Sequence, residues 1–221
     1  MTSRAWPWVH VNRNIIDAFA LANQVEQRFG QEFSMGLRRE QLELALRNVL
    51  ALQKANGAFS TWNASGPENL WLTAYATDYL VTLRKQGIPV PDRALQRATR
   101  RLLNLVRRPG FQQSEWITDH AQYNFVVQSY AAFVLASSSA ISLSDVRRVF
   151  DNAPEAAASK LPWMHLGLAL KLLGDSKRSE LAFSRVGLTH RNDTVYLADY
   201  GSAIRDIAWV LGYADAFGVT V

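Results

Sequence analysis

The chain has 221 residues, 48% of them hydrophobic and 19% charged, with 7 Trp; that is enough apolar content for a substantial core, or part of a larger one, and it excludes a disordered chain. No cysteine is present, which excludes disulfides, thiolate metal sites and thiol nucleophiles within these residues. The net charge of +5 comes from 24 basic residues, mostly Arg, in pairs such as Arg38-Arg39, Arg100-Arg101, Arg107-Arg108 and Arg147-Arg148; with acids and glutamines interspersed and no aromatic platform among them, they read as the wet side of amphipathic helices rather than as a nucleic-acid surface.

The chain opens with "MTSRAWPWVH", a cap-type pair Thr2-Ser3 followed by two tryptophans around a proline. No run approaches the ~18 consecutive apolar residues of a membrane span, and no basic region followed by an apolar one marks an export signal. From Arg38 to Lys54, Leu42, Ala45, Leu46, Val49 and Leu52 form one stripe opposite Arg39, Glu43 and Arg47, which predicts a one-sided surface helix. "LQKANGAFSTW" then ends that helix with Gln53, turns through Asn56-Gly57 and delivers Phe59 and Trp62. Asn-Gly reverses a chain where a left-handed conformation is wanted, and the aromatics that follow are expected to plug the gap between neighbouring helical hairpins.

"LWLTAYATDYLVTL", "NFVVQSYAAFVLA" and "LPWMHLGLALKLL" are apolar on almost every side and must be covered all round. Between the first two, the segment from Asp92 sets Leu95, Ala98, Leu102 and Leu105 against Arg93, Arg97, Arg100, Arg101 and Arg108, with "VPD" as its start signal. After it, "RRPGFQQSEW" (107–116) echoes the earlier turn. Outer amphipathic helices alternating with inner apolar ones, roughly nine in all and with no alternating strand, predict an all-α fold of stacked hairpins, either an open solenoid or a closed α/α ring.

Catalytic equipment is sparse. No Asp-x-Asp-Asp, Gly-rich phosphate loop or Gly-x-Ser-x-Gly elbow occurs, and His10, His120, His165 and His190 lack metal-ligand spacing. Glu68, Asp78, Glu115, Asp119, Asp199 and Asp206 lie in or beside inner helices, which keeps an α/α-barrel glycosidase or lyase as an alternative. The bland readings are that Asp119 and Asp199 cap helices, Glu68 favours a helix N-terminus and His165 is a core histidine. A helical-repeat binding module is the other alternative.

Three stretches together, "TSRAWPWV", "NGAFSTWNASGPENLWLTAYATDYLV" (56–81) and "DYGSAIRDIAWVL" (199–211), resemble the thioester-containing domain of bacterial α2-macroglobulins, and "VQSYAAFVLA" (127–136) fits as well. The resemblance implies a single α/α-toroid region, residues 1–221, within a longer multidomain chain. Further ring-closing helices are expected beyond Val221, so the isolated piece is expected to be incomplete and to self-associate. It implies a protease inhibitor, not an enzyme, whose partners are trapped proteases and the other macroglobulin domains. No cofactor, metal, nucleic acid or membrane insertion is implied. The parent protein is expected in the periplasm, anchored at the inner membrane. In thioester-bearing members a Cys-Leu-Glu-Gln motif stands directly before a run like Thr2-Ser3-Arg4; no such motif lies in this chain, and whether the parent carries one is left open. Gln53, Gly57, Phe59, Trp62, Trp71 and Tyr75 match the family's strongest motif and are expected to pack and shape the ring. His120 resembles a histidine that accepts the thioester acyl group in related complement proteins, with a capping or core-edge role as its plainer alternative.

Overall fold

The computed structural model describes residues 35–108, 117, 119–187, 191–192 and 195–220. Among the described residues are eight α-helices, and the only β-type pairing is two isolated bridges, Gln53 with Phe59 and Ser60 with Glu68. The chain divides into two compact units, at Arg101/Leu102.

The first unit contains α1 (Met35–Leu50), α2 (Leu70–Lys85) and the first part of α3 (Asp92–Arg107). On α1, Leu42, Ala45, Leu46 and Val49 are buried while Arg47 is exposed, the one-sided pattern that their spacing dictates. Helix α2 is buried at every residue from Leu70 to Val81. Its start is fixed by Asn69, whose side-chain oxygen accepts from the Leu72 N–H at 2.8 Å. Its end is fixed by Gly87 at φ +75°, where the Ile88 N–H donates back to the Leu83 carbonyl and the Gly87 N–H to Arg84. On α3, Leu95, Ala98, Leu102 and Leu105 face inward. The Pro91 carbonyl accepts the first amide bonds of α3, and the Asp92 side chain pairs with Arg84 instead of capping.

The second unit contains α4 (His120–Ser137), α5 (Leu143–Asp151), α6 (Leu161–Leu172), α7 (Ser176–Phe183) and α8 (Ala203–Phe217). Helix α6, with Pro162 in its first turn and every residue from Leu161 to Leu170 buried, packs against α4, α5, α7 and α8. Asp119, Ser142, Asp175 and Ser202 cap α4, α5, α7 and α8, each accepting from the amide three residues on; such caps are worth about 1 kcal/mol apiece. Gly167 lets α7 approach: a Cβ there would lie 2.5 Å from the Phe183 ring, and Ser179 Oγ donates to the Gly167 carbonyl at 2.9 Å. Helix α8 docks through aromatics. His165 stacks on Tyr130 at 4.5 Å and on Phe133 at 5.7 Å, with Trp209 and Tyr213 edge-on to it. His165 is thus a core residue, as its apolar helix implied. No described helix is long and apolar enough to cross a membrane.

Candidate functional site

After α1 the chain turns over residues 51–59, and the turn is built against the start of α3. The Gln53 side chain donates to the Ala94 carbonyl at 2.9 Å and accepts from Arg97 at 3.0 Å. Gly57 sits at φ +92°, and a Cβ there would lie 2.1 Å from the Arg97 carbonyl oxygen. Only glycine satisfies both the left-handed backbone and that close approach. Phe59 is fully buried; its N–H donates to Thr73 Oγ1 at 3.0 Å, and its carbonyl accepts from the Asn69 N–H.

The loop that follows, residues 60–69, is pinned from several directions. Lys54 Nζ donates to the carbonyls of Ala64 at 3.0 Å and Gly66 at 2.5 Å. Asn63 accepts the Ser65 N–H, and Glu68 is gripped by both arms of Arg101 at 2.8 and 2.7 Å. This held loop carries Trp62 at 43% exposure. The expectation that Trp62 packs into the hairpin junction is therefore corrected: the lysine-bound carbonyls fix the loop with the indole outward. Trp71 and Tyr75, by contrast, are buried and stacked on each other at 5.1 Å. Glu68 serves Arg101, and the N-cap of α2 is Asn69.

His120 is the first residue of α4 and is exposed. The cap is its neighbour Asp119, and Gln122 ties this turn to the following loop by donating to the Ala156 carbonyl and accepting from the Ala158 N–H. His120 is not the cap of this helix, and its side chain is exposed at the helix start. Thr2, Ser3, Arg4, Glu115 and most of the second turn motif lie outside the described residues, as do His10 and His190.

A third cluster had not been anticipated. Arg191 donates to both oxygens of Asp199 at 2.5 and 3.0 Å and to Asp206 at 3.3 Å. Arg205 binds Asp199 through its carboxylate and its backbone carbonyl, and also binds Asp206, while Ser159 Oγ donates to Asp206 at 2.7 Å. Burial pushes the Asp199 carboxyl up, but the hydrogen bonds and charges of Arg191 and Arg205 outweigh it and hold the carboxyl below the usual range. Ala198 and Tyr200 adopt φ +49° and +53° on either side of Asp199. A Cβ on Gly201 would lie 2.0 Å from Arg191. Asp199 is thus the centre of an ion-paired clasp at the start of α8, whose cap is Ser202. Its sequence signal is faint: Arg205-Asp206 is visible as a charged pair at a helix start, but nothing local points to Arg191 or Ser159.

The carboxylates of the glycosidase alternative are mostly committed: Glu68 to Arg101, Asp119 to its helix, and Asp199 and Asp206 to two arginines. Asp78 is buried inside α2. A cavity of about 530 Å³ lined by Lys171, Glu180, Phe183 and Val219 holds one carboxylate, where glycoside hydrolysis needs two. No group of three or more metal-ligating side chains occurs among the described residues.

Comparison with known proteins supplies what this geometry does not. A family model described as the A-macroglobulin TED domain matches residues 19–163. An α2-macroglobulin of Escherichia coli K12 is 39% identical over 176 residues, covering 79% of this chain and 11% of that protein. The cryo-EM structure of native E. coli α2-macroglobulin superposes with a TM-score of 0.83 at 30% identity, over 99% of this chain and 15% of that one. Trypsin-activated E. coli α2-macroglobulin gives 0.74 at 36% identity, over 83% and 12%. The chain therefore spans a small part of the proteins it matches.

Proposed function

The chain belongs to the A-macroglobulin TED family, an all-α fold of the α/α-toroid class, and from that membership we propose that it serves as the thioester-type domain of a longer α2-macroglobulin-like inhibitor that traps attacking proteases. The observation that carries the proposal is the fold match to bacterial α2-macroglobulin along 99% of the chain at 30% identity. On this reading the domain acts by being held, released and rearranged when a protease cuts elsewhere in the parent, and it turns over no substrate. Its partners are proteases and the neighbouring macroglobulin domains.

Covalent capture requires a thiolate leaving group, and these 221 residues contain no Cys. The sulfur would have to come from another part of the parent. If it does, the exposed imidazole of His120 is a suitable acyl acceptor near pH 7. If it does not, capture is conformational and His120 is a surface residue. The parent is proposed to reside in the periplasm at the inner membrane, which cell fractionation with a tagged full-length protein tests.

The functional test is to mix the full-length protein with trypsin and run a denaturing gel, with and without prior methylamine. Protease bands shifted to high mass and abolished by methylamine establish covalent capture. Protease that co-elutes under native conditions but separates on denaturation establishes conformational capture. Free protease under both conditions sinks the inhibitor reading.

A further inference from the structure

Asn56-Gly57 is the one Asn-Gly pair in the sequence, and such a pair carries chemistry of its own. The main-chain nitrogen that follows an asparagine can attack the side-chain amide, and glycine, with no Cβ in the way, allows the approach most readily. Asn56 is exposed, so water reaches its amide, while Gly57 is buried.

The turn restrains both reacting groups. The Gly57 N–H, whose nitrogen is the nucleophile, donates to the Lys54 carbonyl at 3.0 Å. The Asn56 side-chain oxygen accepts from the Ala58 N–H, also at 3.0 Å, which fixes the amide carbon that would be attacked. The Lys54 N–H donates to the Ala58 carbonyl at 2.8 Å and closes the turn at its base. Gly57 itself lies against the Arg97 carbonyl, and Gln53 anchors the turn to α3 through Ala94 and Arg97. Base must therefore reach a buried N–H that is already bonded, and the nitrogen must leave that bond before it can turn toward Asn56.

We propose that Asn56 is a fold-gated deamidation site, closed while the turn sits on α3 and reactive once the turn lifts. In the open turn, base takes the Gly57 amide proton, the nitrogen bonds to Asn56 Cγ, the Cγ–Nδ2 bond breaks, and ammonia leaves with a proton from solvent. Water then opens the cyclic imide at either carbonyl to give aspartate or isoaspartate. The net change is amide plus water to carboxylate plus ammonium, with no oxidant or cofactor. Aspartate keeps an oxygen for the Ala58 N–H. Isoaspartate instead adds a methylene to the main chain directly before Gly57, where the Arg97 carbonyl already crowds the backbone. The folded rate is then the open-turn rate scaled by the fraction of molecules whose turn is open.

The test incubates the full-length protein in mildly alkaline buffer, folded and in guanidinium, and follows the peptide holding Asn56 by mass spectrometry that separates asparagine, aspartate and isoaspartate. Loss of Asn56 is expected to be at least about tenfold slower in the folded protein. Gln53→Ala, which removes both side-chain anchors to α3, is expected to speed the folded reaction several-fold and to leave the guanidinium rate unchanged. If tryptophan fluorescence shows that Gln53→Ala does not fold, Gln53→Glu, which keeps an acceptor for Arg97 and loses the donor to Ala94, takes its place. Folded and unfolded rates within about twofold of each other overturn the proposal. So does a folded rate that the Gln53 substitution leaves unchanged, since the turn's hold on α3 would then not be what closes the site.

Discussion

Replacing Arg191 with Met tests the clasp at the start of α8 and has a definable size. Arg191 is 6% exposed, and it donates three charge-assisted hydrogen bonds, two to Asp199 and one to Asp206. Without it, two buried carboxylates share one guanidinium, that of Arg205, with the Gly201 N–H and Ser159 Oγ as neutral helpers. Breaking a buried pair by removing one partner costs about 3–5 kcal/mol, and the surviving arginine places Arg191→Met at about 3 kcal/mol. Linkage supplies a second handle. Asp199 has a folded pKa below its unfolded value, so its contribution is present above the unfolded carboxylate range and is lost as pH falls through the folded value. Removing Arg191 weakens the group that holds Asp199 ionised. The deficit against the unmodified chain should therefore be full at pH 7 and shrink below about pH 4, near the unfolded Asp value. Urea unfolding followed by tryptophan fluorescence at pH 7 and pH 3 reads both. A loss under about 1 kcal/mol at pH 7, or an equal loss at both pH values, would refute the clasp as a source of stability.

Gly57→Ala forces a left-handed alanine and a Cβ into the Arg97 carbonyl, and is expected to destabilise by about 2–5 kcal/mol in urea melts; a loss under 1 kcal/mol would mean the turn does not lie on α3. Trp71→Ala should cost about 3–5 kcal/mol as a buried, stacked aromatic, whereas exposed Trp62→Ala should cost under about 1 kcal/mol; equal losses would return Trp62 to the core. Ile204 is 82% exposed and Leu211 48% on the same helix, so the 221-residue chain is expected to self-associate in sedimentation and Ile204→Glu to reduce that association; a wild-type monomer at high concentration contradicts this.

The helices buried on all sides were the most legible part of the sequence. Residues 70–81 and 161–170 are apolar or small at nearly every position, and no environment but full enclosure satisfies them. The arginine stripe of α3 was equally plain, because its period is local. Trp62 is half-exposed because aromatic character alone does not fix burial, and it sits on a loop that Lys54 ties down through the carbonyls of Ala64 and Gly66. The clasp was illegible for a related reason. Arg191 meets Asp199 and Asp206 only after the chain passes two left-handed residues, Ala198 and Tyr200, and nothing in the identity of either residue announces that geometry. His120 stands at a helix start, yet its role depends on chemistry that these residues do not contain.

The measurement closest to the central claim is size-exclusion chromatography of the full-length protein after incubation with trypsin, with each fraction assayed on a small chromogenic peptide and on a large protein substrate. A trap holds the protease without occupying its active site. Trypsin is expected to elute with the full-length protein, active on the peptide and silent on the protein substrate. Trypsin eluting alone, with both activities intact, would contradict it.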